Sequence, residues 1–358
     1  MDSNHGWPEP IIRVQSLSES GTETIPTRYI KPPSDRPSIE ASSYTLSIPV
    51  IDLSAMSKEE MASAVSAACR EWGFFQVVNH GVRPELVRHG QEIWRGFFHL
   101  PIEEKQRYAN SPTTYEGYGS RLGVEKGASL DWGDYYFLHV LPSCLKNHEK
   151  WPALPPDLRD ITDEYSRELL NLCGRVMEAM SFGLGLDPTR LQESFGGTEV
   201  GACLRVNYYP KCPQPELTLG LSSHSDPGGM TVLLVDNHVR GLQVRKGSDW
   251  VTVEPIRDAF ILNVGDQIQS LFPFCQVLSN AIYKSVEHRV MVNAANERLS
   301  MAFFYNPKAD LPLSPIRELI TPDRPALYKP MSFNEYRLYI RQRGPRGKSQ
   351  VESLKTSQ

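Results

Sequence analysis

Apolar residues recur at helical spacing through the middle of the chain. They are separated by three or four positions, which places them on one face of a helix. Gly183 and Gly185 end the run. The pattern predicts a long amphipathic helix with one buried face, formed by Leu158, Ile161, Tyr165, Leu169, Leu172, Val176 and Met180.

Shorter elements are predicted on either side of this helix. Ser57 and Glu60 have the spacing of a capping box before an apolar periodicity, and Pro84 and Pro101 stand where a first helical turn accepts proline. The predicted helices cover residues 57–72, 84–98, 101–107 and 333–343, and compact apolar runs predict strands at 48–53 and 74–79.

The pattern changes beyond Gly201. Short runs of apolar and aromatic residues follow one another, separated by Gly, Pro, Asn and Asp. This alternation of short strands and turns is typical of an antiparallel β-sandwich or jelly roll. The predicted strands cover residues 202–208, 231–235, 242–244, 259–263 and 299–305.

The overall charge is close to neutral. The chain of 358 residues has 38 Lys and Arg against 42 Asp and Glu, a formal charge of −4, and 40% of its residues are apolar. These are the proportions of a globular protein long enough to bury a full core. The charge balance gives no electrostatic reason to expect binding to nucleic acid or to an anionic membrane surface.

Residues 1–46 are polar and rich in Pro and Ser, which predicts an extended arm rather than a helix. The first ten residues lack the basic start and apolar run of a secretory signal. No apolar stretch approaches the roughly 20 residues of a membrane span. The six cysteines have no short paired spacing. We therefore expect a cytoplasmic protein in a reducing compartment.

Two histidines and one aspartate are the first candidates for chemistry. His224 and Asp226 are two positions apart between predicted strands, and residues at that spacing share one face of a strand. A pairing strand can bring His288 across to them. Two imidazoles and one carboxylate on one side of a metal leave its other positions open, as in non-haem Fe(II) sites.

A second group of polar residues lies on two other predicted strands. Arg298 and Ser300 share a face, and a guanidinium fork with a neighbouring hydroxyl matches the end of a dicarboxylate. Upstream, Arg205, Asn207 and Tyr209 share the face of another strand. Either motif alone is weak evidence for a site. Their order along the chain, relative to the His-x-Asp motif and His288, strengthens the functional interpretation.

This ordered set of motifs closely resembles the plant Fe(II)- and 2-oxoglutarate-dependent dioxygenases. Residues 48–53 and 72–81 are also similar to the amino-terminal region of that superfamily, so the resemblance covers about residues 48–340. It implies a mixed α and β fold with a double-stranded β-helix, or jelly-roll, core flanked by helices.

The resemblance also implies roles for individual residues. Fe(II) would be held by the two histidines and the aspartate, with 2-oxoglutarate and O2 as co-substrates and ascorbate as reductant. His80 would lie outside the metal set. The implied ligands are His224, Asp226 and His288 for the metal, Arg298 and Ser300 for the far carboxylate of 2-oxoglutarate, Tyr209 for an added hydrogen bond there, and Asn207 for the metal-bound end.

Together, the sequence patterns and the resemblance predict a division of the chain into five parts. They are an extended arm (1–46), a helical region with short strands (47–199), the jelly-roll core (200–315), a carboxyl-terminal helix that closes the site (316–345) and a polar tail (346–358).

Within the superfamily, the chain is similar to the jasmonate-induced oxygenases at residues 7–10, 13–17, 115–121, 131–137 and 344–349. This implies hydroxylation of jasmonic acid to its 12-hydroxy form. An anionic, partly apolar substrate agrees with the residues near the predicted site. The candidates are Arg205, Arg337 and Arg341 for the carboxylate, and Phe137, Phe304 and Phe333 for the apolar walls.

One segment departs from the family pattern. Residues 270–276, an apolar stretch containing a proline, separate two motifs that ordinarily adjoin. The segment is either an insertion or non-coding sequence retained in a gene model, and it bears on how His288 is held.

Three alternative functions stay open at this point. Oxidation of a flavonoid would favour phenol-binding groups over arginines. A zinc lyase or hydrolase could use two histidines and one aspartate, but it would give Arg298 and Ser300 no purpose. A catalytically silent binding protein would keep the anion pocket without turnover.

Overall fold

The structure is a computed structural model, and it describes residues 12–37, 46–54, 56–110, 116–120, 129–269, 279, 282–313, 316–322 and 331–343. In the parts of the chain that it describes, no helix combines the length and apolar character that a membrane span needs.

The helices follow the predicted periodicities closely. Ser57 and Glu60 form the predicted capping box: the Ser57 hydroxyl accepts from the Glu60 N–H at 3.2 Å, and the Glu60 carboxylate accepts from the Ser57 N–H at 2.8 Å. The described helices are α1 Val14–Glu19, α2 Lys58–Glu71, α3 Pro84–Phe98, α4 Ile102–Gln106, α5 Leu158–Gly183, α6 Arg190–Ser194 and α7 Phe333–Arg343.

The strands pair into a large sheet, a smaller sheet and a short two-stranded ladder. The large sheet has the order β1-β2-β10-β7-β12-β5-β4-β3, and the smaller one β6-β11-β8-β9. The described strands are β1 Val50–Asp52, β2 Phe74–Val78, β3 Gly117–Gly119, β4 Asp134–Leu141, β5 Gly201–Tyr209, β6 Leu221–His224, β7 Met230–Leu234, β8 Leu242–Lys246, β9 Asp249–Thr252, β10 Phe260–Val264, β11 His288–Val290, β12 Arg298–Asn306, β13 Pro312–Leu313 and β14 Met331–Ser332. The predicted jelly-roll core with flanking helices is confirmed.

The two faces of the large sheet serve different purposes. Leu299, Met301 and Phe303 on β12 are fully buried in the main core together with side chains of α3 and α5. The alternate residues of the same strand, beginning with Arg298 and Ser300, point to the opposite face. Helices therefore cover one side of the sheet, and the other side carries the polar groups of the candidate site.

The amino-terminal arm departs from the prediction of an extended segment. Val14–Glu19 forms the short helix α1, and Val14 and Tyr29 are buried. The buried carboxylate of Asp134 accepts the N–H groups of Val14 and Gln15 at 3.0 and 2.9 Å, which satisfies the free donors at the start of this helix. A contact across more than a hundred positions thus stabilises a helix that local propensity does not predict.

Candidate metal and co-substrate site

The two candidate histidines lie directly opposite each other on neighbouring strands. His224 ends β6, His288 begins β11, and the two are register partners in the antiparallel ladder. Their ring centroids are 4.2 Å apart. Phe74 packs edge-on against the His288 ring at 5.2 Å. Strand pairing therefore brings together two imidazoles that are far apart in the sequence.

Asp226 completes the group immediately after β6. Its Oδ1 lies 3.7 Å from the Nε2 atoms of both His224 and His288. Its Oδ2 accepts hydrogen bonds from the Thr231 hydroxyl at 2.6 Å and from the Asn263 amide at 2.8 Å. One carboxylate oxygen is thus fixed by the protein, and the other faces the histidines.

Thr231 and Asn263 could not be assigned a role from sequence alone. They are register partners on β7 and β10, and both are buried. The one signal in the sequence was that each is a polar residue in a predicted strand that is otherwise apolar. Only the pairing of the two strands shows that both donate to the same oxygen of Asp226.

The backbone fixes the orientation of both imidazoles. Nδ1 of His224 lies 2.8 Å from the Ser222 carbonyl, and Nδ1 of His288 lies 3.2 Å from the Val286 carbonyl. A carbonyl only accepts, so each Nδ1 carries the proton and each Nε2 presents a lone pair toward Asp226. Burial, reinforced by the neighbouring His288, lowers the pKa of His224 to about 4, which keeps its ring neutral.

These three side chains fit a divalent metal ion. One ligand atom from each lies within 4.8 Å of the others. Two neutral imidazoles and one carboxylate on one side are the donor set of non-haem Fe(II) sites, which leave further positions open for small molecules. The roles of His224, Asp226 and His288 as ligands stay predictions that the geometry supports.

The predicted anion pocket forms a compact patch on β5 and β12. Arg298 lies opposite Tyr209, and Ser300 lies opposite Asn207. Directly opposed residues of an antiparallel ladder point to the same side of the sheet. All four residues are buried. The pairing register therefore places all four predicted co-substrate residues together.

Arg298 carries the main charge of this pocket. Its side chain is 3% exposed, its Nε donates to the Val239 carbonyl at 3.2 Å, and its Nη1 is buried without a hydrogen-bond partner among the described residues. A buried guanidinium donor without an acceptor is costly unless a ligand supplies one. The pocket is therefore suited to an anionic group.

One face of the large sheet connects the support of Asp226 with the predicted substrate residues. Thr231 reaches Asp226, and its register partner on β12 is Phe304. Phe304 is in turn opposite Cys203 on β5, and Arg205 is two positions further along. The strand order thus puts Phe304 and Arg205 on the face of the large sheet from which Thr231 reaches Asp226.

Arg205 lies between apolar and aromatic neighbours on that face. Phe137 on β4 is its register partner, and the Arg205 guanidinium carbon lies 4.5 Å from the centroid of the Tyr135 ring. Its Nε is buried without a hydrogen-bond partner among the described residues. A cation beside aromatic rings suits an acid with an apolar body.

Helix α7 carries the remaining predicted substrate residues. It is attached to the core by the Tyr336 hydroxyl, which donates to Asp266 Oδ2 at 2.7 Å, and by the buried ring of Phe333. Arg337 donates to Asn334 at 3.1 Å, and its Nε is buried without a partner in the described structure. The side chain of Arg341 and residues 270–276 lie outside the described residues.

His80 has the structural role that the sequence suggested. Its Nε2 lies 2.8 Å from the Asp258 carbonyl, and its Nδ1 accepts from the Val82 N–H at 3.2 Å. Both ring nitrogens are therefore engaged by the backbone, and burial lowers the pKa of the ring below its ordinary value.

Comparison with known proteins identifies the family. Residues 200–307 match the 2OG-Fe(II) oxygenase superfamily, and residues 48–157 match the family described as the N-terminal region of a non-haem dioxygenase in morphine synthesis. The chain belongs to the 2OG-Fe(II) oxygenase superfamily. This oxygenase is therefore a dioxygenase enzyme of a family that uses Fe(II) and 2-oxoglutarate.

The sequence matches to individual relatives cover almost the whole oxygenase. It is 60% identical to jasmonate-induced oxygenase 1 of Arabidopsis thaliana over 97% of this chain and 87% of the relative. Flavanone 3-dioxygenase 2 of Oryza sativa subsp. japonica is 40% identical over 90% of this chain and 92% of its own. A crystal structure of JOX2 in complex with 2OG, Fe and JA is similar with a TM-score of 0.91 and 59% identity, covering 98% of this chain and 99% of that chain.

Proposed function

We propose that this oxygenase hydroxylates jasmonic acid to 12-hydroxyjasmonic acid and uses O2 and 2-oxoglutarate as co-substrates. One observation carries the choice of substrate: the chain is 59% identical, over 98% of its length, to a protein crystallised with 2OG, Fe and JA. The 12-hydroxyl position follows from the likeness to jasmonate-induced oxygenases, whereas the residues of the site account for binding an acid.

The metal would be held by His224, Asp226 and His288. When bound, Fe(II) supplies the activation of O2, coupled to oxidation of 2-oxoglutarate, that hydroxylation requires. The protein contributes the geometry of three ligands. Thr231 and Asn263 hold one oxygen of Asp226, so that the other oxygen is presented to the metal together with the two Nε2 atoms.

The far carboxylate of 2-oxoglutarate would bind to the patch on β5 and β12. Arg298 supplies a buried guanidinium with a free Nη1, Ser300 supplies a hydroxyl, and Tyr209 lies opposite Arg298. Asn207, opposite Ser300, would support the end nearer the metal. Charge-assisted hydrogen bonds of this kind orient a small diacid in one direction.

The carboxylate of jasmonic acid would be read by arginines distinct from Arg298. Arg205 has a buried Nε free for an acceptor, and Arg337 has another on the helix α7. We assign Arg341 to the same group, with Phe137, Phe304 and Phe333 as walls for the hydrocarbon part. In this proposal α7, in the segment 316–345, closes the site over the jelly-roll core of 200–315.

The proposal includes the compartment, the reductant and the binding partner of the enzyme. None of the cysteines in the described ranges forms a disulfide, as expected in the reducing cytoplasm. Ascorbate is the proposed reductant that keeps the iron ferrous. The near-neutral charge of the chain favours a small acid over nucleic acid or a membrane surface as its partner.

The release of succinate in the presence of Fe(II) and 2-oxoglutarate tests the substrate. Jasmonic acid should stimulate release strongly, and methyl jasmonate should stimulate it weakly, because an esterified substrate leaves the arginines unpaired. A flavanone serves as the comparison substrate. Stronger stimulation by the flavanone than by jasmonic acid would refute the assignment.

A further inference from the structure

A lysine of the amino-terminal arm is buried beside the candidate site. Lys31 is 2% exposed, and its Nζ lies 2.7 Å from Asp131 Oδ1 and 3.4 Å from the Ser129 hydroxyl. Its backbone N–H donates to the Leu217 carbonyl at 2.9 Å. A buried ammonium group is costly unless it is paired, so this ion pair is a fixed part of the structure.

The same oxygen of Asp131 continues toward the metal ligands. The Ser222 hydroxyl donates to Asp131 Oδ1 at 2.6 Å, and Ser222 lies on β6, two positions before His224. The Ser222 carbonyl is the group that accepts from Nδ1 of His224 at 2.8 Å. A continuous line of contacts therefore leads from Lys31 through Asp131 and Ser222 to His224.

The charge of Asp131 also influences two other residues of the candidate site, Arg205 and Tyr209. Burial lowers the pKa of Arg205, and the negative charge of Asp131 is among the groups that raise it again. The same carboxylate raises the pKa of the Tyr209 hydroxyl, which burial raises most. Lys31 is the cation that pairs with Asp131 directly.

We propose that Lys31 is a positioning residue of the active site. It neutralises Asp131 and holds it against Ser222, which in turn fixes β6 and the imidazole of His224. The amino-terminal arm thus completes the site, an inference that rests on the proposed function for the identity of the metal.

The line of contacts from Lys31 to His224 predicts that Lys31→Met weakens metal binding, which can be measured without turnover. Contacts that orient a metal ligand are typically worth 10 to 100-fold in affinity, and we expect a loss of about 10-fold in Co(II) affinity by anaerobic calorimetry. The double variant Lys31→Met/Asp131→Asn should recover most of the Co(II) affinity, because asparagine still accepts from Ser222 and carries no charge.

Arg13→Met provides the matched control. Arg13 is another cation of the arm, and it donates to Ser120 and Gln106 at 3.2 Å without contacting Asp131. This variant should keep the Co(II) affinity of the wild type. Should Lys31→Met not fold, Ser222→Ala breaks the same line while leaving the ion pair, and the same loss of affinity is expected.

The outcomes separate this inference from the proposed function. A Co(II) affinity of Lys31→Met or Ser222→Ala equal to that of the wild type overturns the role of Lys31. An equal loss in Arg13→Met overturns it too, because the arm would then act only through overall stability. A wild-type protein that binds Co(II) but does not turn over jasmonic acid refutes the proposed substrate and leaves the metal-affinity test of Lys31 intact.

Discussion

Arg298 and Tyr209 lie directly opposite each other on β12 and β5, with the Arg298 guanidinium carbon 5.4 Å from the centroid of the Tyr209 ring. The ring lies against one face of the guanidinium, and the Val239 carbonyl accepts from its Nε. This arrangement fixes the direction of the remaining Arg298 donors. The pocket is therefore preorganised to bind an anion.

Replacement of this arginine should separate the two substrates kinetically. Arg298→Ala removes a charge-assisted contact worth on the order of 1.5 to 3 kcal/mol, so the KM for 2-oxoglutarate should rise roughly 10 to 150-fold. The KM for jasmonic acid should change little. Steady-state kinetics with each substrate varied in turn measure both values, and equal losses would contradict the assigned role.

Gly241 gives Arg298 the space that it occupies. A Cβ at this position would lie 2.9 Å from Arg298 Cδ and 3.0 Å from the Met291 carbonyl oxygen. Gly241→Ala should therefore displace the guanidinium and raise the KM for 2-oxoglutarate, by less than Arg298→Ala does. Gly174→Ala, where the added Cβ meets no atom within 4 Å, is the control and should leave the kinetics unchanged.

Thr231 should contribute to metal affinity although it does not contact the metal. Thr231→Val removes the hydrogen bond to Asp226 Oδ2 while keeping the shape of the side chain, and Co(II) affinity should fall about 10-fold. Thr231→Ser keeps the hydroxyl and should bind nearly as the wild type does. Calorimetric titration of the metal-free proteins distinguishes them, and wild-type affinity in the valine variant would exclude the role.

Arg205 should determine the preference for a free acid over its ester. In Arg205→Ala the kcat/KM for jasmonic acid should fall by roughly 10-fold or more, while that for methyl jasmonate should change less. Arg337→Ala should have the same direction of effect. Arg167→Ala, which removes an exposed arginine of α5, is the control. An unchanged acid-to-ester ratio in Arg205→Ala would place the substrate carboxylate elsewhere.

The sequence grouped the candidate side chains of the site, but it did not show how they are held. His224 with Asp226, and Arg298 with Ser300, could be grouped because each pair is two positions apart, the spacing that shares one face of a strand. The support of Asp226 by Thr231 and Asn263 depends on the register of β7 against β10. Register between distant strands is set by the whole sheet and leaves no local signal.

The arm was the least predictable part of the described fold. Val14–Glu19 is too short to form a stable helix alone, and the carboxylate that caps it belongs to Asp134 on β4. Lys31 likewise lies in a stretch of prolines with no local signal of burial. In the structure its side chain is buried and pairs with Asp131. Contacts between distant segments decide both cases.

The fate of labelled dioxygen tests the central claim most directly. Wild-type protein with Fe(II), 2-oxoglutarate, ascorbate and jasmonic acid should be supplied with heavy-isotope O2, and the products should be analysed by mass spectrometry. The account predicts one heavy oxygen atom in 12-hydroxyjasmonic acid and the other in succinate. Unchanged jasmonic acid beside a hydroxylated flavanone in a parallel reaction would contradict it.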